Sequence, residues 1–322
     1  MKTFLLVDFN NLVFRTRYST TGDIDSQVGL TLHIFLKSLM AASEKFKVDH
    51  IVICGESKSW RSSIYADYKI NRKLKNLQKT PKEQEEDKVF FESIGELWKF
   101  LEEKTNVTTL RVNHCEADDI IALWTVAHPD DRNIILSTDE DFVQLIKDGV
   151  EQYDGVKEMH VTKDGYYDKN GNPMTLKDGS TKPDPEYHLF LKCIRGDSDN
   201  IFPSYPKVRV KSSKNKIGIL EAYNDRHDKG FAYNNFFNQT WEDHNGETVV
   251  VKDRFEFNRK LMDLTMQPDY VKVECLEAIM RETEKPRVDQ VGIHLMKFCG
   301  IWELNNIAKD AQYVATHLNK RY

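Results

Sequence analysis

Phe4-Leu5-Leu6-Val7-Asp8 is an unbroken apolar run closed by an acid, and His50-Ile51-Val52-Ile53-Cys54, followed by Gly55-Glu56, repeats the arrangement. Apolar runs this short, rich in β-branched side chains, read as strands buried on both faces. Between them, residues 29–46 carry Leu32, Phe35, Leu36, Leu39 and Met40 at helical spacing. The alternation continues. Residues 84–104 place Val89, Phe90, Ile94, Leu97, Trp98 and Leu101 on one helical side. Residues 107–112 are strand-like, 116–127 read as a helix that stops before Pro129, 133–137 as a strand and 141–147 as a short helix. Strands separated by helices predict an α/β fold with a central, mostly parallel sheet flanked by helices. Turn signals at Asp164-Gly165, Asn170-Gly171-Asn172-Pro173 and Asp178-Gly179 predict a β-hairpin excursion within 156–183. From residue 186 the chain reads as mainly helical. Its 322 residues suit two domains, expected at 1–185 and 186–322.

Composition narrows the class. Seventeen Phe, 13 Tyr and five Trp argue against disorder, and no apolar run is long enough to span a membrane. The apolar stretch at the start is too short for a signal peptide. The five cysteines, Cys54, Cys115, Cys193, Cys275 and Cys299, lie far apart with no CxxC pair, so neither a zinc site nor a disulfide framework is expected and a cytoplasmic location fits. A net charge of −5 excludes a uniformly basic nucleic-acid coat and directs attention to local charge.

In an open parallel sheet, ligands bind beyond the carboxyl ends of the strands. Every predicted strand here runs toward acids: Asp8 after the first, Glu56 after the second, Glu116, Asp118 and Asp119 after the third, Asp139 and Asp141 after the fourth. The loop Arg195-Gly196-Asp197-Ser198-Asp199-Asn200 adds Asp197 and Asp199. Carboxylates gathered at one edge repel one another unless cations intervene. Oxygen ligands without His or Cys point to Mg²⁺ or Mn²⁺ rather than Zn²⁺. Two such ions roughly 4 Å apart can activate a water and stabilise a leaving oxygen in phosphodiester hydrolysis. Taken singly, each piece has a plainer explanation: acids at 116–119 suit a helix N-terminus, Asp139 and Asp141 suit a helix cap, and Asp197 and Asp199 suit a surface turn. The joint pattern has none.

Two basic segments lie beside the acids. Residues 58–82 hold eight Lys or Arg, among them Arg61, Lys69, Arg72, Lys73 and Lys75, against the single acid Asp67, with Trp60, Tyr65 and Tyr68 interleaved. Cations bind phosphates and aromatic rings stack on unpaired bases. Residues 202–220 hold Lys207, Arg209, Lys211, Lys214 and Lys216 and no acid, the composition of a loop that positions a duplex through its phosphates. The plain alternative for both is a solvated, flexible loop.

The ordered motifs Leu6-Val7-Asp8-x-Asn10, Tyr68-Lys69-x-Asn71-Arg72, Glu116-Ala117-Asp118-Asp119, Ser137-Thr138-Asp139-x-Asp141-Phe142 and Gly196-Asp197-x-Asp199-Asn200 resemble those of the structure-specific 5′-nuclease (flap endonuclease) family. The second basic stretch and the segment after it are similar to the RNase H branch of T-even-type phages. The resemblance implies a PIN-like 5′-nuclease fold with a helical arch at about 65–92 and a mainly helical, duplex-binding C-terminal domain. It implies that Asp8, Glu116, Asp118, Asp139, Asp141, Asp197 and Asp199 hold or orient two Mg²⁺ ions, with Mn²⁺ able to substitute and Asp119 in or behind that shell. Asp8, Asp118 and Asp139 then belong to the catalytic set together with Lys69 and Arg72, which the resemblance puts beside the scissile phosphate. Three departures stand out. Glu56 occupies a position where the family usually has Asp. Asp197 and Asp199 are spaced i, i+2 rather than i, i+3. Ser204-Tyr205-Pro206-Lys207 replaces the Gly-rich entry to the family's K⁺-holding hairpin, which argues against K⁺ here.

The expected function is therefore a Mg²⁺-dependent 5′→3′ exonuclease and flap endonuclease, acting on RNA/DNA or DNA/DNA duplexes with 5′ ends or flaps and removing RNA primers in phage replication. It is expected to be monomeric, with a single-strand-binding protein or a sliding clamp as partner. Residues 287–322 are the candidate contact surface, although Leu295, Met296, Phe298, Trp302 and Leu304 have the spacing of a core. A branched-DNA-binding module with decayed chemistry is the principal alternative; a small-molecule phosphohydrolase leaves the basic, aromatic segment unexplained.

Overall fold

β1 (Thr3–Asp8), β2 (His50–Cys54), β3 (Thr108–Leu110), β4 (Arg132–Leu136), β5 (Val150–Asp154), β6 (Met159–Thr162), β7 (Gly165–Tyr167) and β8 (Pro173–Met174) form one sheet in the order β3-β2-β1-β4-β5-β6-β7-β8. The computed structural model describes residues 1–19, 22–214, 216–243 and 245–321. Pairing is parallel from β3 through β5 and antiparallel from β5 through β8, so the turn-rich segment is a meander extending one edge of a parallel sheet. Val7 pairs with Ile53 on one side and with Leu136 on the other. The carboxyl ends of β1, β2 and β4 are therefore level. The chain leaves β1 toward β2 on one side, while β4 enters on the other. A crevice at such a divergence is where open α/β sheets bind ligands.

The period-two alternation of β1 sorts its side chains between two layers. Leu5 and Val7 join Ile51, Ile53, Ile134 and Leu136 in a core completed by Phe35 and Leu39 of the helix Ile24–Lys45 and Leu97 of the helix Pro81–Lys104. Phe4 packs instead on Trp124 of the helix Ala117–Ala127, edge-to-face at 5.3 Å. The helix starts follow from sequence. Asp23 caps Ile24–Lys45 by accepting the Ser26 N–H, and Thr80 and Glu83 form a reciprocal capping box ahead of Pro81.

The chain divides into two compact units, Met1–Trp60 with Gln78–Pro183 and Pro268–Tyr322, and Arg61–Leu77 with Asp184–Gln267. This differs from a single boundary at 185. The helices Val291–Ile301, Asn305–Lys309 and Ala311–Leu318 place Val291, Leu295, Phe298, Ile307 and Val314 in the same core as β1, and Phe298 stacks on Phe100 at 4.4 Å. An apolar helical stripe reads the same in sequence whichever core it fills. The expected core reading of Leu295, Phe298 and Leu304 is the observed one; Met296 is about half exposed.

The second unit contains the helices Ile70–Leu77, Pro185–Arg195, Ile219–Asn224, Phe231–Phe237 and Val251–Met262, and a hairpin of Thr240–Glu242 with Thr248–Val250. Phe190, Ile194, Tyr223, Phe236 and Phe237 form its main cluster, and Tyr68, Cys193, Ile201, Leu261 and Met262 a second. The five cysteines are free, buried thiols. No helix among the described residues is long and apolar enough to cross a membrane.

Candidate active site

Asp8 ends β1 as a nearly buried carboxylate. Its Oδ1 accepts the Asn11 N–H at 3.1 Å and its Oδ2 accepts the Ser137 hydroxyl at 3.1 Å. Burial, reinforced by the charges of Glu56 and Asp139, outweighs those bonds and raises its pKa to about 7. The acid after β2 and the acid after β4 thus both act on the acid after β1, as level strand ends require.

Glu116 and Asp119 are buried and Asp118 is half-buried. Each of the three offers a carboxylate oxygen, and these atoms lie within 4.8 Å of one another. Glu116 directly precedes the helix Ala117–Ala127, so the backbone N–H groups of its first turn face the acids. The Asp119 N–H donates to Asp118 Oδ1 at 2.9 Å. Asp119 Oδ2 accepts the Glu116 N–H and the Trp60 indole N–H, both at 3.1 Å. Glu116 Oε2 accepts the Ser59 hydroxyl at 2.8 Å. After β4, Asp139 opens the short 3-10 turn Glu140–Leu145 by accepting the Asp141 N–H at 2.9 Å. Gln152 of β5 holds this loop, donating to the carbonyls of Ser137 at 3.1 Å and Asp139 at 2.7 Å. Gly55, ahead of Glu56, has no room for a side chain: a Cβ there would stand 2.6 Å from the Trp98 ring.

A set of hard carboxylate oxygens, some buried and clustered and one with its pKa raised to about 7 by burial and then by its neighbours' charge, fits divalent cations of the Mg²⁺ type. Asp8, Glu56, Glu116, Asp118, Asp119, Asp139 and Asp141 all belong to this unit.

The remaining predicted residues belong to the second unit. Asp199 accepts from Arg72 at 2.8 Å and lies 3.8 Å from the Lys69 ammonium. Lys69 and Asn200 both adopt left-handed backbone (φ 56° and 71°), and the Lys69 N–H donates to the Asp199 carbonyl at 3.0 Å. Asp197 pairs with Lys192 at 3.1 Å; burial works against its ionisation, but Lys192 and the Ser198 N–H prevail and lower its pKa. Lys73 and Lys75 are exposed on the helix Ile70–Leu77, which buries no side chain. Arg61 and Tyr68 are buried instead. Arg61 donates through Nε to the Leu261 carbonyl at 2.7 Å, and Tyr68 packs with Cys193 and Ile201. Tyr65 donates its hydroxyl to the Asn200 carbonyl at 2.9 Å. Arg61, Tyr65 and Tyr68 are thus engaged within the second unit in this structure. Lys207, Arg209, Lys211, Lys214 and Lys216 are all exposed. Their loop is tied to the helix Ile219–Asn224 through bonds from Ile219 to Arg209 and from Leu220 to Val210. Gly218 sits at the crossing, where a Cβ would approach Lys211 backbone to 2.4 Å.

Residues 3–171 match the family profile described as the 5′–3′ exonuclease N-terminal, resolvase-like domain. The chain belongs to the 5′–3′ exonuclease family. It is accordingly an enzyme, a metal-dependent phosphodiester hydrolase. Among relatives of this nuclease, the flap endonuclease Xni of Shewanella woodyi is 28% identical over 230 residues, covering 69% of this chain and 79% of that one. The flap endonuclease of Escherichia phage T5 is 29% identical over 207 residues, covering 62% and 64%. A crystal structure of the T5 protein with metal ions has a TM-score of 0.57 at 20% identity, covering 98% of this chain and 100% of that one. The same T5 flap endonuclease in a pseudo-enzyme–product complex with DNA and metal ions has a TM-score of 0.57 at 19% identity. At those identities the likeness is one of fold.

Sequence reasoning missed Ser59, Trp60, Asn11, Ser137 and Gln152 as the groups that hold the acids. Ser137 opens one quoted motif and Asn11 directly follows another. Ser59 and Trp60 were absorbed into the basic stretch, and only the spatial meeting of the loops after β2 and β3 reveals them.

Proposed function

We propose that this nuclease is a Mg²⁺-dependent 5′→3′ exonuclease and flap endonuclease that hydrolyses phosphodiesters at 5′ ends and flaps of RNA/DNA or DNA/DNA duplexes, and that it removes RNA primers during phage DNA replication in the host cytoplasm. The observation that carries this reading is the cluster of Glu116, Asp118 and Asp119, with Asp8 under the charge of Glu56 and Asp139 at the neighbouring strand ends. The DNA-bound T5 structure supports a DNA substrate.

Asp8, Glu56, Glu116, Asp118, Asp119, Asp139 and Asp141 would hold two Mg²⁺ ions, or Mn²⁺ in their place, and the resemblance adds Asp197 and Asp199. Bound there, the ions supply Lewis-acid activation of a water and stabilisation of the leaving oxygen. The chain's own part is to orient the carboxylates and to bring positive charge to the phosphate. Lys69 and Arg72 would support the charge that builds on the phosphoryl oxygens. Lys73 and Lys75, within the arch expected at 65–92, would follow a single strand. Lys207, Arg209, Lys211, Lys214 and Lys216 would hold duplex phosphates without reading sequence. The protein would act as a monomer, with a single-strand-binding protein or a sliding clamp as partner.

The test is cleavage of a 5′-flap duplex labelled at each end in turn, in Mg²⁺ and in EDTA, with a blunt hairpin lacking a free 5′ end as control. Mg²⁺-dependent release of 5′ fragments is expected, and their length separates trimming from junction cutting. A second reading, a branched-DNA-binding protein whose chemistry has decayed, draws on the cations already engaging Asp197 and Asp199. Tight binding without products in Mg²⁺ or Mn²⁺ would establish it.

A further inference from the structure

Two residues outside the acidic set are built into it. The segment after β2 runs beside the turn after β3: the Ser57 N–H donates to the Cys115 carbonyl and the Trp60 N–H to the His114 carbonyl, each at 2.9 Å. This lays the side chains of Ser59 and Trp60 against Glu116 and Asp119, the first and last acids of the cluster. Ser59 donates to Glu116 Oε2 at 2.8 Å, and the Trp60 indole donates to Asp119 Oδ2 at 3.1 Å. Both residues are nearly buried, at 8% and 2% exposure, so neither donor can exchange its partner for bulk water. An indole N–H is a donor with no acceptor capacity, carried on a rigid ring. It therefore fixes one carboxylate oxygen in place and would be left unsatisfied if Asp119 turned away.

We infer that Ser59 and Trp60 are positioning residues of the nuclease, setting the orientation in which Glu116 and Asp119 meet a divalent cation. The inference rests on the metal-holding role given above to the Glu116–Asp118–Asp119 cluster. Groups that hydrogen-bond metal ligands from behind fix ligand orientation, and their loss costs about 10- to 100-fold in metal affinity. Neither residue touches the reacting phosphate in this account; both act through the carboxylates.

The experiment uses the full chain and Mn²⁺ alone. Free Mn²⁺ is followed by its paramagnetic resonance signal while it is added to the wild type, Trp60→Phe, Ser59→Ala and Ser59→Thr, with circular dichroism recording the fold of each. Trp60→Phe keeps an aromatic ring, smaller than the indole, and loses the N–H; Ser59→Thr keeps the hydroxyl that Ser59→Ala removes. Trp60→Phe and Ser59→Ala are expected to bind Mn²⁺ about 10- to 100-fold more weakly while folded, with Ser59→Thr recovering most of the affinity. A merely structural role would lower the melting temperature and leave the affinity of the folded protein unchanged, and that result would overturn the inference. Should Trp60→Phe not fold, the Ser59 pair decides alone. A wild type that binds no Mn²⁺ overturns the metal reading itself, which unaltered variants of a Mn²⁺-binding wild type would not.

Discussion

The Ser137 hydroxyl donates to Asp8 Oδ2 at 3.1 Å, tying the end of β4 to the end of β1 where the sheet's connections diverge. The bond holds a carboxyl whose pKa stands near 7 in the folded protein, against 3.8 for the ordinary group. The unfolded chain ionises first as pH rises, so the metal-free fold loses stability between about pH 4 and pH 7 and keeps its full contribution from Asp8 only below that range. The displacement corresponds to roughly 4 kcal/mol at most. Melting temperature measured against pH in EDTA should fall across this window. In Mg²⁺ the fall should flatten, because a cation favours the ionised form. Asp8→Asn in EDTA should remove most of the dependence.

Asp139 and Asp141, both assigned to the proposed site, also shape the short turn after β4, since the Asp139 carboxylate accepts the Asp141 N–H. An amide can accept the same bond, so the double variant Asp139→Asn, Asp141→Asn should fold with a stability change within about 1 kcal/mol, the scale of a cap. Its cleavage of a 5′-flap duplex should drop by more than about 100-fold, beyond the loss seen when only the partners behind a ligand are removed. DNA binding, read by fluorescence anisotropy, should persist. Normal turnover by this variant would sink the site assignment.

Arg72 is largely exposed, although its guanidinium pairs with Asp199. Such pairs contribute little to stability, so Arg72→Ala should leave the urea midpoint nearly unchanged, a shift under about 1 kcal/mol. Loss of a cation that supports transition-state charge costs about 100- to 1,000-fold in kcat. Single-turnover cleavage of Arg72→Ala and Lys69→Ala should show that loss, with single-strand affinity falling far less.

Arg61 presents the opposite case. It is buried, and its Nε satisfies the Leu261 carbonyl at 2.7 Å. Arg61→Met should destabilise the fold by about 1–3 kcal/mol, the cost of leaving a buried acceptor unpaired. Urea denaturation measures this. The DNA affinity of the folded fraction should be unchanged, which would separate Arg61 from Lys73 and Lys75 despite their common segment.

The contrast between Arg61 and Arg72 shows what the chain discloses by reading alone. Strand runs such as Ile51-Val52-Ile53-Cys54 and the acids after them were legible because parallel strands are continuous apolar runs and their carboxyl ends collect ligands. The hairpin excursion was legible through Asp164-Gly165, which lies at the turn between β6 and β7. Burial inside a charged, aromatic stretch was not, because Arg61, Tyr68 and Arg72 have the same composition on paper and different neighbours in space. Trp60 was opaque for the same reason: its partner Asp119 is distant in sequence, and only the adjacency of β2 and β3 brings them together. The allegiance of the last three helices was equally hidden, since periodicity identifies an apolar face without naming what covers it.

That allegiance bears on how the protein comes off the ribosome. Leu5 and Val7 share a core with Leu295, Phe298 and Val314, which lie far downstream in the chain. Contacts of such sequence separation form late in folding. A nascent chain can pair β1 and β2, yet it carries an open apolar face until the helices from Val291–Ile301 to Ala311–Leu318 emerge, and that is the interval in which aggregation competes with folding. A translation product stopped after Gln267 would keep every carboxylate proposed for the site and lack the helices that pack on Ile24–Lys45 and Pro81–Lys104 and complete their core.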